Sequence, residues 1–145
     1  MSHHKTDLQT ILQENGYSVT RQRLLVFDLL TNQEPMTVYE LAERAAGRLD
    51  RASIYRIVTV FEQIGVVQRI NIGWKYKIEL SDKFAEHHHH LTCLQCGNVI
   101  PISGEELEGF VSKLATEHEF NVIEHQVELQ GYCKQCRHAS TKCWP

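Results

Sequence analysis

Four of the five cysteines in this 145-residue chain fall in two C-x-x-C pairs, Cys93/Cys96 and Cys133/Cys136, and no other feature constrains the fold as much. A C-x-x-C turn supplies two thiolates from one tight knuckle, and tetrahedral zinc takes four soft or borderline ligands. Two pairs far apart in sequence can clamp two distant strands around one ion. Gly97, directly after the first pair, suits the knuckle. Zinc binding and folding of so small a segment would then be coupled. A redox dithiol or merely buried thiols are the alternatives, and two pairs in one short chain favour structural zinc over both. Cys143 is left over and reads as a spare tail thiol.

The length suits one ordinary domain or two small ones. With 42% hydrophobic and 23% charged residues, the chain reads as a globular protein and not a disordered one. No apolar run approaches the roughly 20 residues that cross a bilayer. The opening MSHHKTDLQT lacks the apolar core of a secretory signal. No membrane partner is expected, and the expected compartment is the cytoplasm, where thiols stay reduced. The net charge of -3 does not advertise nucleic-acid binding, but its placement is uneven. Residues 1–80 hold 10 Lys/Arg against 9 Asp/Glu, and residues 81–145 hold 5 against 9 together with seven of the nine histidines. A DNA reader of this composition would rely on a local basic patch.

The first half reads as four helices. Leu8, Ile11 and Leu12 share a face that stops at Asn15-Gly16. Thr20, Thr37 and Asp50 are N-caps of the next three, and Ile54, Ile57, Val58 and Phe61 form an i, i+3, i+4, i+7 stripe on the last. Strands are predicted over Val66–Ile72 and Lys75–Leu80 around a Gly73-Trp74 turn. Short helices followed by a hairpin are the order of a winged helix. Beyond a polar segment come strands near His90–Cys93 and Val99–Ile102, then a helix from Gly104 to about His118. A last strand is expected from Phe120 or Val122 to Tyr132. The fold class is therefore α+β. A winged-helix DNA-binding domain spans residues 1–80, a hinge 81–86, and an α/β metal-binding domain 87–145.

His87-His88-His89-His90 runs into an apolar strand, and successive side chains of an extended segment face opposite sides. His88 and His90 thus share one face, and His87 and His89 the other, so one run can feed two metal sites. Glu79 can join the first pair; Glu108 and His125 can join the second. Neutral imidazole suits zinc, iron, nickel and cobalt, and carboxylates shift preference toward harder ions. A solvated polar run is the alternative.

The fourth helix opens Arg51-Ala52-Ser53-Ile54-Tyr55-Arg56, and the N-terminal residues of a recognition helix meet base edges. Arg51 belongs to this cluster. Arg56 suits guanine, Tyr55 a thymine methyl or a phosphate, and Ser53 a phosphate. Arg21 and Arg23 can add backbone contacts, while Arg69 and Lys75 lie where a wing would reach a neighbouring groove. Taken singly, each is an ordinary solvated surface residue; the clustering raises them.

Together these elements resemble the ferric uptake regulator family, which includes iron, zinc, manganese and peroxide sensors. The matching stretches are Gly16-Tyr17-Ser18-Val19-Thr20 with Arg23, Ala52–Arg56, His87–Cys93 with Cys96-Gly97, and His125 with Tyr132-Cys133-x-x-Cys136, across about residues 6–138. The resemblance implies a homodimer that represses by binding a palindromic double-stranded DNA operator when its sensing metal is present, and it makes the C-terminal domain the dimerisation domain. It implies structural Zn2+ on Cys93, Cys96, Cys133 and Cys136. A sensing site of Glu79, His88 and His90 follows, with a second regulatory site of His87, His89, Glu108 and His125. The second divalent metal is Zn2+ or Fe2+, with Mn2+ as a further choice.

Departures from the family pattern bear on that metal. Iron sensors usually carry a histidine where this chain reads Gln33-Glu34-Pro35-Met36, so Glu34 is the nearest candidate ligand. His89 replaces a common Asp, as in many zinc sensors, whereas Glu79 stands where zinc sensors often place Cys. Ser18 and Gln22 replace a frequent Lys and Pro. The nitrogen-rich run tilts the reading toward zinc over iron. Other functions are a manganese or peroxide sensor of the same family, or, outside it, a zinc metallohydrolase. The last would need a general base beside an open coordination position, and no H-E-x-x-H helix is present. A thiol–disulfide enzyme would need one pair to be a reactive thiolate.

Overall fold

The computed structural model describes residues 2–138, so the reading of Cys143 lies outside the described residues. The chain divides into two compact units, Met1–Glu86 and His87–Pro145.

The first unit opens with four helices: α1 (Ser2–Glu14), α2 (Arg21–Leu30), α3 (Val38–Arg44) and α4 (Arg51–Gln63). Each cap forms where a short polar side chain can satisfy an orphan amide. Thr20 accepts from Arg23 N and Asp50 from Ser53 N, and Thr37 with Glu40 completes a reciprocal capping box. The apolar stripes meet in one core, in which Leu8, Leu12, Val26, Leu41, Ile54 and Phe61 are fully enclosed. Strands β1 (Val67–Ile72) and β2 (Lys75–Leu80) follow as an antiparallel hairpin running from Val67↔Leu80 to Ile72↔Lys75. Its two-residue turn needs positive φ at the first position, and Gly73 supplies it at 60°. An isolated bridge, Met36↔Ile78, ties the loop before α3 to β2. This is the winged-helix arrangement.

Segment 81–86 reads as polar, but Phe84 anchors it to the first unit. Its ring meets Phe27 edge-on at 5.0 Å, and Ser81 donates to the carbonyl of Gly65 at 2.8 Å.

In the second unit, β3 (His89–Cys93) lies between β4 (Val99–Ile102) and β5 (Glu128–Gly131), and α5 (Glu105–Glu117) connects β4 towards β5. β3 and β4 are antiparallel; β3 and β5 are parallel, from His90↔Glu128 to Cys93↔Gly131. The long last strand expected from residue 120 or 122 shrinks to β5, because its partner β3 is itself short. Upstream, Phe120 and Ile123 are 68% and 87% exposed. Among the described residues of this unit, only His89, His90, Thr92 and Cys93 are buried, and α5 buries none.

Phe61→Ala would open a cavity where α4 meets the rest of the first unit. Urea unfolding should register a loss of about 3–5 kcal/mol. A loss below about 1 kcal/mol would mean that the core closes without this ring.

Candidate metal centres and nucleic-acid surface

The parallel pairing of β3 with β5 sets Cys93 beside Gly131, so the knuckle after β3 and the turn after β5 meet. One ligand atom from each of Cys93, Cys96, Cys133 and Cys136 falls within a group no wider than 4.8 Å. Cys96 Sγ and Cys133 Sγ are 3.9 Å apart. A tetrahedron with Zn–S bonds of about 2.3 Å has sulfur–sulfur edges of about 3.8 Å. The donor set therefore fits zinc in both kind and spacing. Thiol electrostatics agree. Burial pushes the Cys93 thiol up, but the amides of Cys133, Cys96 and Gln95 and the Cys96 side chain outweigh it and bring it down to about 6. Cys136 moves the other way, to about 12, through its hydrogen bond with Cys133, then burial, then Cys96 and Cys93. Four such thiols cannot all ionise side by side without a cation among them.

The second cluster forms because α5 carries Glu108 to the face of β3 that shows His89. Glu108 Oε1 lies 2.8 Å from His89 Nε2, 3.2 Å from His125 Nε2 and 3.4 Å from His87 Nε2. His87 Nε2 and His125 Nε2 are 3.1 Å apart. Three imidazole nitrogens thus converge on one carboxylate, a set that suits zinc or another borderline divalent ion. The hydrogen bond from His89, then that from His125, holds the Glu108 carboxyl below its usual range. Val127 N donates to His89 Nδ1 at 3.3 Å, and the other ring nitrogen faces Glu108.

His88 and His90 turn to the other side, with ring centroids 4.7 Å apart. Glu79, on β2 of the first unit, is buried and accepts from Gln68 Nε2 at 2.7 Å. Glu34 is exposed in the loop between α2 and α3 and joins none of the donor clusters among the described residues.

Around the start of α4, Thr20, Gln22, Arg23, Ser53, Arg56, Ile57 and Val60 line a shallow groove of about 320 Å³. Arg56 Nη2 donates to Ser53 Oγ at 3.1 Å, and Ser53 Oγ donates to Asp50 at 2.6 Å. Arg23 donates to the carbonyl of Ser18 and lies over the Tyr17 ring. Tyr55 and Arg21 are exposed. Two expected contacts are already engaged. Arg51 pairs with Glu43 at 3.0 Å and stacks on Tyr39. Arg69 is held by both oxygens of Glu62, at 2.5 and 2.9 Å, over the ring of Tyr76. The carboxylates are eight and seven residues from their arginines, each on the preceding element, so the pairing depends on how consecutive elements turn against each other. Lys75 extends over Trp74 at the hairpin tip, 4.7 Å from its ring centre.

Sequence reasoning missed Gln22 in the groove and Gln68 beside Glu79. The second had a signal: a two-residue turn at Gly73-Trp74 sets Gln68 directly opposite Glu79.

Residues 14–130 match the model of the ferric uptake regulator family. The ferric uptake regulation protein of Escherichia coli (strain K12) is 34% identical over 142 residues, covering 91% of this chain and 93% of that protein. Among solved structures, the Vibrio cholerae ferric uptake regulator is similar with a TM-score of 0.70 at 30% identity, covering 86% of this chain and 98% of that one. The Pseudomonas aeruginosa ferric uptake regulator, solved with manganese, gives 0.72 at 27% identity over 87% and 97% of the two chains.

The folded pKa of Glu108 lies below its unfolded value of 4.5, so its contribution to stability is complete above that value and fades as pH falls through the folded one. In metal-free protein, Glu108→Gln should lower the melting temperature near neutral pH and flatten its decline in acid. A decline as steep as the parent's would show that this carboxylate is not coupled to folding.

Proposed function

The chain belongs to the ferric uptake regulator family, metal-responsive transcriptional regulators and not enzymes, and on that premise we propose that it is a repressor that binds a palindromic operator as a homodimer when zinc is bound. The observation that carries this reading is the alternation of one histidine run. His87 and His89 meet Glu108 and His125, while His88 and His90 pair on the opposite side. One short segment thereby offers two donor sets.

In this reading Cys93, Cys96, Cys133 and Cys136 hold structural zinc. Glu79, His88 and His90 form the sensing set, and His87, His89, Glu108 and His125 a second regulatory set. A metal held by the sensing set would couple DNA reading to metal supply by favouring the DNA-competent state. A typical coupling of this kind is about 1–3 kcal/mol. The imidazole-rich donors and the missing histidine near Glu34 support zinc. The names of the relatives support iron as a second reading.

Dimerisation has its own support. A unit whose helix buries nothing leaves Phe110, Leu114, Ile123 and Leu129 in water, and a second copy across a two-fold axis can cover them. For DNA, Arg21, Arg23, Ser53, Tyr55, Arg56 and Lys75 are the contacts we assign, with Arg51 and Arg69 contributing only after leaving their carboxylates. Zinc-holding thiolates and access to an operator suit the cytoplasm, where thiols stay reduced.

Selection from a random 30-base-pair duplex library, with and without Zn2+, Fe2+ or Mn2+, tests the function. Recovery of a palindrome only with metal supports it; the most effective ion names the effector. Failure to recover any duplex would overturn it. Elemental analysis should find about one chelator-resistant zinc per chain. Cys96→Ser should lose that zinc and dimerisation together. His90→Ala should keep both and lose metal-dependent operator binding; normal metal-dependent binding by this variant would remove His90 from the sensing set.

A further inference from the structure

Glu79 is enclosed on β2 at 7% exposure, and its strand neighbours Ile78 and Leu80 are buried with it. A carboxylate in such a place is costly unless hydrogen bonds or a cation satisfy it. The hairpin register supplies one hydrogen bond. Gln68 on β1 stands directly opposite Glu79, and residues so paired across antiparallel strands share a face. Gln68 Nε2 donates to Glu79 Oε1 at 2.7 Å. Val66, Ile70 and Ile72, at the same alternation as Gln68, are all buried. Gln68 is therefore the polar member of an otherwise apolar row, and what it does there is hold the carboxylate.

The choice of an amide has chemical consequences. An arginine or lysine in this place would neutralise the carboxylate and compete with any metal. A neutral N–H orients the group and leaves its negative charge for a cation. The bond also treats the two oxygens unequally. Oε1 is committed to the amide, which directs an ion to Oε2 and to one oxygen in place of both. Such ligation suits a tetrahedral ion such as zinc. Ions that take more oxygen ligands, manganese among them, gain from a carboxylate that can turn both oxygens inward.

We infer that Gln68 is a positioning residue of the sensing set: it holds Glu79 for ligation through a single oxygen and thereby favours zinc over manganese. This rests on the reading of Glu79, His88 and His90 as that set, and the experiment separates the two.

Every protein in the test carries His125→Ala, which removes a donor of the second set, so that chelator-labile metal reports the sensing set. Zn2+ and Mn2+ affinities are read by competition with a chromophoric chelator. Gln68→Met keeps the length of the side chain and loses the donor. It should weaken zinc binding about 10–100-fold and manganese binding less, with the chelator-resistant zinc retained. Gln68→Asn, one methylene shorter, should act in the same direction while keeping an amide on the strand, and it carries the test where the Met variant does not fold. In a Glu79→Gln background neither change should cost anything further, because Gln68 acts through Glu79. A role in packing alone would give the same loss in both backgrounds. That result, or zinc affinity within twofold of the parent's in both Gln68 variants, would overturn the inference and leave the sensing set standing. Equal losses for the two ions would overturn ligation through one oxygen. Parent-like zinc binding by Glu79→Gln would overturn the sensing set, and the inference with it.

Discussion

The parallel pairing of β3 with β5 is the contact on which the second unit depends. Four register pairs, His90↔Glu128 to Cys93↔Gly131, align segments nearly forty residues apart. At one end they bring the two C-x-x-C turns together; at the other they set His125 beside His87 and His89. If the pairing slipped by one residue, every β5 side chain would change face and both donor sets would disperse. Parallel pairing is also slow to find, because loop closure must precede any reward. A cation that binds the four thiols rewards the closed state directly, which links assembly of the sheet to metal.

The two units solve the problem of stability differently. The first buries aliphatic and aromatic side chains from four helices and a hairpin in one continuous cluster. Among its described residues, the second buries only His89, His90, Thr92 and Cys93. Its stability is therefore expected to follow conditions that act on donors, such as pH, reductant and chelator, and a covering partner, while that of the first follows packing. Such a division suits a responsive protein.

Charge on the first unit is similarly local. The net charge of the chain is negative, and Glu43 and Glu62 each occupy an arginine that sequence alone would leave free. Of the basic groups considered for DNA, the others lie around the start of α4 and at the hairpin tip.

Much of this was legible in residues close together in the chain. Thr20, Thr37 and Asp50 cap helices because a short polar side chain reaches an amide three residues on, and Gly73 makes a two-residue turn because it tolerates positive φ. The histidine run faces two ways because an extended strand alternates. Those are local rules, and the sequence by itself determined the helices, the hairpin and the donor types. The tertiary structure alone decided that the last strand is four residues long and parallel to β3, and that Phe84 fastens the segment after β2 to the first unit. Each of these is a meeting of residues separated in sequence. Which partners meet is settled by the packing of whole elements, information that no short window of the chain contains.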